Sequence, residues 1–165
     1  MWVSLVRHGE AGYAADDRAR TLTDKGVRDA TEVGVYLARL GLEHHAPPSV
    51  VLHSPYTRTQ QTAELLAGQC GAIPLIAESA LIPEGTVDAV DALLDRCAQD
   101  ATEHVILVSH QPLVSYIHAY FLGQDHTVPP MIPAAVTTFS LDTIGPQLGS
   151  LLYWAVPGQY EPNRQ

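Results

Sequence analysis

Four residues of this chain have types and positions suited to chemistry: Arg7, His8, Arg58 and His110. Each lies at or shortly after the end of an apolar, β-branched run, which is typical of strands buried on both faces of a parallel sheet. These runs are residues 3–6, 50–52 and 105–108. Open parallel sheets bind ligands outside the carboxyl ends of their strands. If the three strands are neighbours, we expect the four side chains to meet in one pocket.

Two guanidiniums and two imidazoles in one pocket would form a site for an anion, and a phosphoryl group suits it. Its outer oxygens need cationic donors, and the planar fork of arginine binds two oxygens at once. A neutral imidazole is a competent nucleophile toward phosphorus, and nearby cations keep its pKa from rising above ~6.5. Gly9 would let the backbone approach the ligand closely. The Arg7-His8-Gly9 run therefore predicts an arginine that binds phosphate, a histidine that acts as nucleophile and a glycine that lets the ligand approach the backbone.

Length, charge and cysteine usage limit the classes of protein to consider. A chain of 165 residues fits a single domain over residues 1–165. Its net charge of −9 disfavours binding to nucleic acid or to an anionic membrane. No segment reaches the ~18 apolar residues of a membrane span, and no basic leader precedes the first strand. Cys70 and Cys97 show no disulfide framework, so we expect a cytoplasmic protein.

The alternation of strand and helix patterns predicts an α/β fold, namely a three-layer α/β/α sandwich. We expect a mostly parallel central sheet with an antiparallel pair of strands near the C-terminus, over residues 136–141 and 151–156. Thr23 is the predicted N-cap of a helix that ends near Gly41. Further predicted helices cover residues 59–69, 87–97 and 113–121, a short strand covers residues 73–77, and a proline-rich surface loop covers residues 124–133.

The segment Arg7-His8-Gly9-Glu10 resembles the one that follows the first strand in the histidine phosphatase superfamily, in its phosphoglycerate-mutase-like members. The resemblance extends, in the same order, through residues 20–26, 54–62 and 108–114, and so spans most of the chain. It implies a phosphoglycerate-mutase-like fold. Within the superfamily, the short length and the Ser-His-Gln-Pro-Leu-Val run are similar to the small SixA-type phosphohistidine phosphatases, which lack the long insertions of the mutases.

The resemblance implies a role for each of the four residues. His8 would be the nucleophile that becomes transiently phosphorylated. Arg7, Arg58 and His110 would bind phosphate oxygens, and a contribution of His110 to the proton or water step is left open. No HExxH pattern or other metal-ligand spacing is present, and arginines supply the charge that Mg²⁺ supplies elsewhere, so neither a metal nor another cofactor is expected. His118 is expected on a surface face of its helix.

Four further residues are expected to contact substrate. Arg20 would approach the phosphate or a substrate carboxylate, with an ordinary loop arginine as the alternative. Gly9 and Gln111 flank the two histidines. Glu84 lies in about the region where superfamily members that act on phosphomonoesters usually place a carboxylic acid. The alternative for Glu84 is a carboxylate favoured by the dipole of the helix that follows.

The expected substrate is phosphohistidine on a signalling protein, such as a phosphotransfer domain or a phosphocarrier. Its imidazole can leave neutral after protonation, so a dedicated strong acid is less necessary than for an alkoxide. One alternative is a small-molecule phosphomonoesterase with Glu84 as proton donor. Another is a phosphate-binding module without catalytic activity, although the presence of all four pocket residues argues against lost chemistry.

Overall fold

In the computed structural model, which describes residues 1–123 and 131–160, a six-stranded sheet lies between two layers of helices. Two short 3₁₀ helices cover Asp17–Ala19 and Ser79–Leu81. The main elements in chain order are β1 (Trp2–Arg7), α1 (Asp24–Glu43), β2 (Val50–His53), α2 (Thr57–Gln69), β3 (Leu75–Ala77), α3 (Val87–Gln99), β4 (His104–Ser109), α4 (Leu113–Leu122), β5 (Val136–Leu141) and β6 (Gly149–Ala155).

The strand order of the sheet is β3-β2-β4-β1-β5-β6. The first four strands in this order are parallel to one another, whereas β5 runs antiparallel to both β1 and β6. The predicted three-layer fold and its antiparallel strand pair are therefore confirmed. Residues 124–130 of the predicted proline-rich loop lie outside the described residues, and the single domain over 1–165 stays a prediction.

The alternation of side chains along β4 explains why the sheet is covered on both faces. Val105 and Leu107 belong to the core beneath α3 and α4, while Ile106 and Val108 belong to the core beneath α1 and α2. All four are fully buried. This double burial is the reason that the strand is a continuous apolar run in the sequence.

Among the helices of residues 1–123 and 131–160, none has the length and hydropathy needed to span a membrane.

Several predicted element boundaries differ from the structure by one or two residues, and those of α1 and β3 have a structural explanation. Thr23 does cap α1, with its hydroxyl accepting from the amide of Gly26 at 3.1 Å, but the helix continues past Gly41 to Glu43. A Cβ on Gly41 would lie 2.8 Å from Pro47, so this glycine allows the chain to pack closely instead of ending the helix. The third strand begins at Leu75, because its pairing with β2 begins there, at Val51.

The prediction that His118 faces solvent is wrong. Its side chain is buried on the sheet side of α4, with 9% of the residue exposed, and its ring packs edge-on against Phe139 at 5.3 Å. Tyr116, on the same helix, is 58% exposed. Because α4 is mostly apolar, its sequence does not indicate which face points inward. The buried residues include Val114, Ile117 and His118.

His104 is a buried histidine at the beginning of β4, at the end of the sheet opposite to the carboxyl ends of the parallel strands. Its Nδ1 donates to the carbonyl of Ala46 at 2.7 Å, so its Nε2 accepts from the hydroxyl of Ser4 at 2.8 Å. Ser4 also pairs with Thr138 at 2.8 Å. Burial lowers the pKa of His104 to about 4, against a smaller opposing effect of the hydrogen bond to Ala46.

This depressed pKa predicts a pH-dependent stability. Between pH 6.5 and about 4, His104 is protonated in the unfolded chain but neutral in the folded one, so the free energy of unfolding falls as the pH is lowered through this window. The slope from this residue approaches ~1.4 kcal/mol per pH unit. Urea unfolding from pH 7 to pH 5 should show a shallower slope in His104→Gln than in the wild type. His45→Gln, at an exposed position, should keep the wild-type slope; an unchanged slope in His104→Gln would contradict this assignment.

Candidate active site

The register of the sheet brings three loops together at one edge. Arg7 of β1 pairs with Ser109 of β4, and His53 of β2 pairs with Val108 of β4, so the three strands end at nearly the same level. The amide of His8 donates to Ser109 at 3.0 Å, and the amide of Ser54 donates to Val108 at 3.1 Å. The residues that follow the strands are therefore neighbours, as the location of ligand sites in such sheets requires.

His8 is held as a neutral imidazole with a defined tautomer. Its Nδ1 lies 2.7 Å from the carbonyl oxygen of Gly9, which can only accept, so Nδ1 carries the proton. Its Nε2 lone pair accepts from Nε of Arg58 at 3.2 Å. Burial lowers the pKa of His8 to about 4, and the charges of Arg58 and Arg7 act in the same direction, against the bond to Gly9. At pH 7 the ring lone pair with which His8 could act as a nucleophile is thus on Nε2.

Arg58 extends from the first turn of α2 and uses all three of its nitrogens. Besides the bond to His8, Nη1 donates to the backbone carbonyl of Asp17 at 2.6 Å, and Nη2 donates to Asp17 Oδ2 at 3.1 Å. The guanidinium carbon lies 5.0 Å from the centre of the Tyr56 ring, within the range of a cation–π contact. The side chain is only 5% exposed, so this charge is fixed in place.

His110 lies beside His8, with 5.1 Å between the ring centres. Its Nε2 is 2.8 Å from the hydroxyl of Ser54, and the Tyr56 ring meets it edge to face at 5.0 Å. Burial lowers the pKa of His110 to about 3, and His8 and Arg58 contribute further. Both imidazoles in the pocket are therefore neutral at pH 7, and the positive charge of the pocket comes from arginines.

Two buried nitrogens of the pocket have no hydrogen-bond partner among the described residues: Nε of Arg7 and Nδ1 of His110. The other end of Arg7 donates from Nη1 to the carbonyl of Met131 at 2.7 Å. Burial and the charge of Arg58 lower the pKa of Arg7 below its usual value. An unpaired buried polar group costs about 1–3 kcal/mol, and the oxygens of a phosphoryl group are suitable partners for such nitrogens.

Gly9 has a structural explanation that the sequence analysis missed. A Cβ at this position would lie 2.7 Å from the carbonyl oxygen of Gly26, so the glycine allows α1 to approach the loop after β1. Its amide donates to the hydroxyl of Thr62 at 3.1 Å. Because its carbonyl also accepts a hydrogen bond from His8 Nδ1, Gly9 connects the imidazole to both α1 and α2. Contact of Gly9 with substrate stays a prediction.

Arg20 and Gln111 lie at the border of the pocket. Arg20 donates from Nε to the carbonyl of Gly12 at 2.7 Å and from Nη1 to Asp17 Oδ1 at 3.1 Å. Its charge is near enough to contribute to the lowered pKa of His8. The amide oxygen of Gln111 accepts from the hydroxyl of Ser115 at 2.9 Å. Substrate contacts of either residue stay predictions.

Glu84 is exposed in the turn that follows the 3₁₀ helix Ser79–Leu81. It makes no hydrogen bond or ion pair with the residues described in the pocket, and Thr86 caps α3 instead, accepting from Ala89 at 3.3 Å. Its role as a proton donor therefore stays a prediction. In the described part of the chain, no group of three or more histidines, cysteines and carboxylates is arranged to hold a metal ion.

Sequence reasoning missed three residues that shape the pocket: Asp17, Ser54 and Tyr56. Ser54 and Tyr56 lie within the segment 54–62, between the end of a predicted strand and the start of a predicted helix. This position was the signal that could have identified them. Asp17 lies in a loop, and its only signal was the spacing of three residues from Arg20, which allows an ion pair within one turn.

Comparison with known proteins identifies the class that this fold and pocket define. The profile of the histidine phosphatase superfamily (branch 1) matches residues 3–82. The chain is 34% identical over 148 residues to the phosphohistidine phosphatase SixA of Escherichia coli, covering 88% of each chain. On this evidence the chain belongs to the histidine phosphatase superfamily.

Solved structures agree with this assignment. The structure of the protein histidine phosphatase SixA complexed with tungstate matches with a TM-score of 0.80 and 30% sequence identity, covering 95% of this chain and 97% of that one. A mycobacterial glucosyl-3-phosphoglycerate phosphatase complexed with VO₃ shares the fold, with a TM-score of 0.72 at 15% identity, covering 94% of this chain and 99% of that one.

The geometry of Arg58 predicts a loss of oxyanion binding when its fork is replaced by a single ammonium. Arg58→Lys keeps the charge but cannot bind two oxygens in one plane. We expect the dissociation constant for tungstate to rise about 10- to 100-fold, the equivalent of one charge-assisted hydrogen bond, as measured by calorimetry. Arg18→Lys is the matched control, since Arg18 also lies over Tyr56, at 5.6 Å, but makes no hydrogen bond to His8. Equal tungstate affinity in Arg58→Lys and wild type would exclude Arg58 from the anion site.

Proposed function

We propose that this protein is a phosphohistidine phosphatase that acts on a phosphorylated protein through a phosphohistidine intermediate at His8. The observation that carries the proposal is the state of His8. Its ring is neutral, its proton is held on Nδ1 by Gly9, and its Nε2 lies against the guanidinium of Arg58. A nucleophile and a phosphoryl clamp are thus already in contact. The relationship to the phosphohistidine phosphatase SixA supports the same substrate class.

The first chemical step follows from this geometry. The lone pair on His8 Nε2 attacks phosphorus, and the bond from phosphorus to the substrate's ring nitrogen breaks, with the electron pair going to that nitrogen. Arg58, Arg7 and His110 bind the outer oxygens, on which the charge of the transition state is spread. The positive charge that develops on the His8 ring is stabilised by the carbonyl of Gly9, which accepts from Nδ1 throughout.

The second step returns the enzyme to its starting state. Water attacks phosphorus, the bond to His8 Nε2 breaks, and its electron pair returns to the ring, which becomes the same neutral tautomer. Inorganic phosphate is released with the proton that water loses. The low pKa of His8 favours this step, because a weakly basic imidazole is a good leaving group.

The substrate class follows from the leaving group. An imidazole departs readily once its other ring nitrogen carries a proton, whereas an alkoxide needs a proton donor close to the reacting bond. Glu84 is exposed and makes no hydrogen bond or ion pair with the described pocket residues, and this arrangement supports phosphohistidine over a phosphomonoester. A phosphotransfer domain or phosphocarrier as partner, and a cytoplasmic site of action, remain predictions of the sequence.

The proposal predicts a preference that kinetics can measure. Purified enzyme should release phosphate from a phosphohistidine-bearing phosphotransfer protein with a higher kcat/KM than from sugar phosphates. His8→Ala should abolish turnover, since no nucleophile remains, while tungstate still binds through the arginines. His45→Ala replaces an exposed histidine that is not part of the pocket. This variant is the control and should retain full activity. Faster turnover of sugar phosphates by the wild type would refute the substrate class, and residual turnover by His8→Ala would refute the nucleophile.

A further inference from the structure

The Asp17 carboxylate lies at the end of the Arg58 fork opposite to His8. Arg58 Nε donates to His8 Nε2 at 3.2 Å, whereas Nη2, at the other end, donates to Asp17 Oδ2 at 3.1 Å. A phosphoryl group bound along this fork therefore has the attacking imidazole on one side and the carboxylate toward the other. In-line displacement sends the leaving group away from the nucleophile, and so toward Asp17.

Asp17 is anionic, and part of it is accessible. Its side chain is 58% exposed, although both oxygens are held, Oδ2 by Arg58 and Oδ1 by Arg20. The two arginines hold the pKa of this carboxyl below its usual value. Asp17 also lines a pocket of about 460 Å³ formed with residues 11–14 and Arg20. The carboxylate thus borders both the fork that binds phosphate and a space in which part of a substrate fits.

The other loop carboxylates are used differently. Glu10 accepts from the hydroxyl of Thr23 at 2.8 Å, and Asp16 accepts from the amide of Arg18 at 2.9 Å, where it caps the 3₁₀ helix Asp17–Ala19. Neither forms an ion pair with an arginine of the pocket among the described contacts. A carboxylate that served only to hold the loop together would not need to be placed on the phosphate clamp.

We propose that Asp17 is a specificity-determining residue, which selects phosphohistidine by accepting a hydrogen bond from the protonated ring nitrogen of the departing imidazole. This inference rests on the proposed function. No proton is transferred to Asp17. The ring nitrogen bonded to phosphorus receives the electron pair of the broken bond, and the ring, already protonated at its other nitrogen, leaves neutral while that N–H donates to the carboxylate.

The same carboxylate disfavours phosphomonoesters. An alkoxide leaving group carries negative charge and has no N–H to donate, so the approach of a fixed anion raises the energy of its departure. Asp17 therefore has opposite effects on the two substrate classes. This distinguishes it from a residue that only orients Arg58, since loss of orientation would slow both classes equally.

The test compares two small substrates, phosphoimidazole and p-nitrophenyl phosphate, on the wild type and on Asp17→Asn. Asparagine preserves the shape and an acceptor oxygen but removes the charge. We expect kcat/KM for phosphoimidazole to fall about tenfold, the value of one charge-assisted hydrogen bond, while kcat/KM for p-nitrophenyl phosphate stays the same or rises. Asp16→Asn removes the same charge one residue away and should leave both constants within about twofold of wild type.

The possible results test the role of Asp17 separately from the proposed function. An equal fall for both substrates in Asp17→Asn would overturn the inference and leave Asp17 as a positioning residue for Arg58, and unchanged constants for both would overturn it as well. Neither result affects the proposed function, which depends on wild-type turnover of phosphohistidine. Wild-type enzyme that cleaves p-nitrophenyl phosphate but neither phosphoimidazole nor protein phosphohistidine would refute the proposed function and, with it, this inference.

Discussion

The hydrogen bond from His8 Nδ1 to the carbonyl of Gly9 is the constraint on which the rest of the site depends. It fixes the tautomer, and so it determines that Nε2 presents a lone pair to the pocket. Arg58 can lie 3.2 Å from that nitrogen only because Nε2 carries no proton. A different tautomer would place two donors against each other, so neither the nucleophile nor the clamp would remain in position.

The sheet and the helices keep this arrangement rigid. Gly9 lies close against α1, and its amide donates to the hydroxyl of Thr62 of α2. Arg58 comes from the same helix, four residues before Thr62, whose hydroxyl donates to the Arg58 carbonyl at 2.7 Å. One turn of α2 therefore supports both partners of the contact between His8 and Arg58. Preorganisation of this kind is the main way in which an enzyme stabilises developing charge.

Burial and charge act together on the two histidines. The pocket removes water from both rings and adds fixed positive charge from arginine, and each effect favours the neutral imidazole. The −9 charge of the chain makes this positive pocket a local feature of an acidic protein. We therefore expect the pocket to attract phosphate, although the net negative charge of the chain repels polyanions in general.

Much of the fold could be predicted, because apolar β-branched runs and helix caps are local signals. The ends of β1, β2 and β4 followed from these runs, but their adjacency did not, because strand order depends on contacts between distant segments. Asp17 was missed for the same reason, since its importance comes from Arg58, which is 41 residues away. The inward face of α4 was misjudged at His118 because an almost wholly apolar helix carries little periodicity to read.

Attack of His8 on phosphorus can be tested by trapping the phosphorylated enzyme. Enzyme mixed with a phosphohistidine-bearing protein, quenched with base within milliseconds and digested, can be mapped by mass spectrometry that preserves phosphoramidates. We expect a phosphoryl group on Nε2 of His8, which forms and decays at rates compatible with turnover. A phosphoryl group on His110 instead, or turnover without any phosphorylated enzyme, would contradict it.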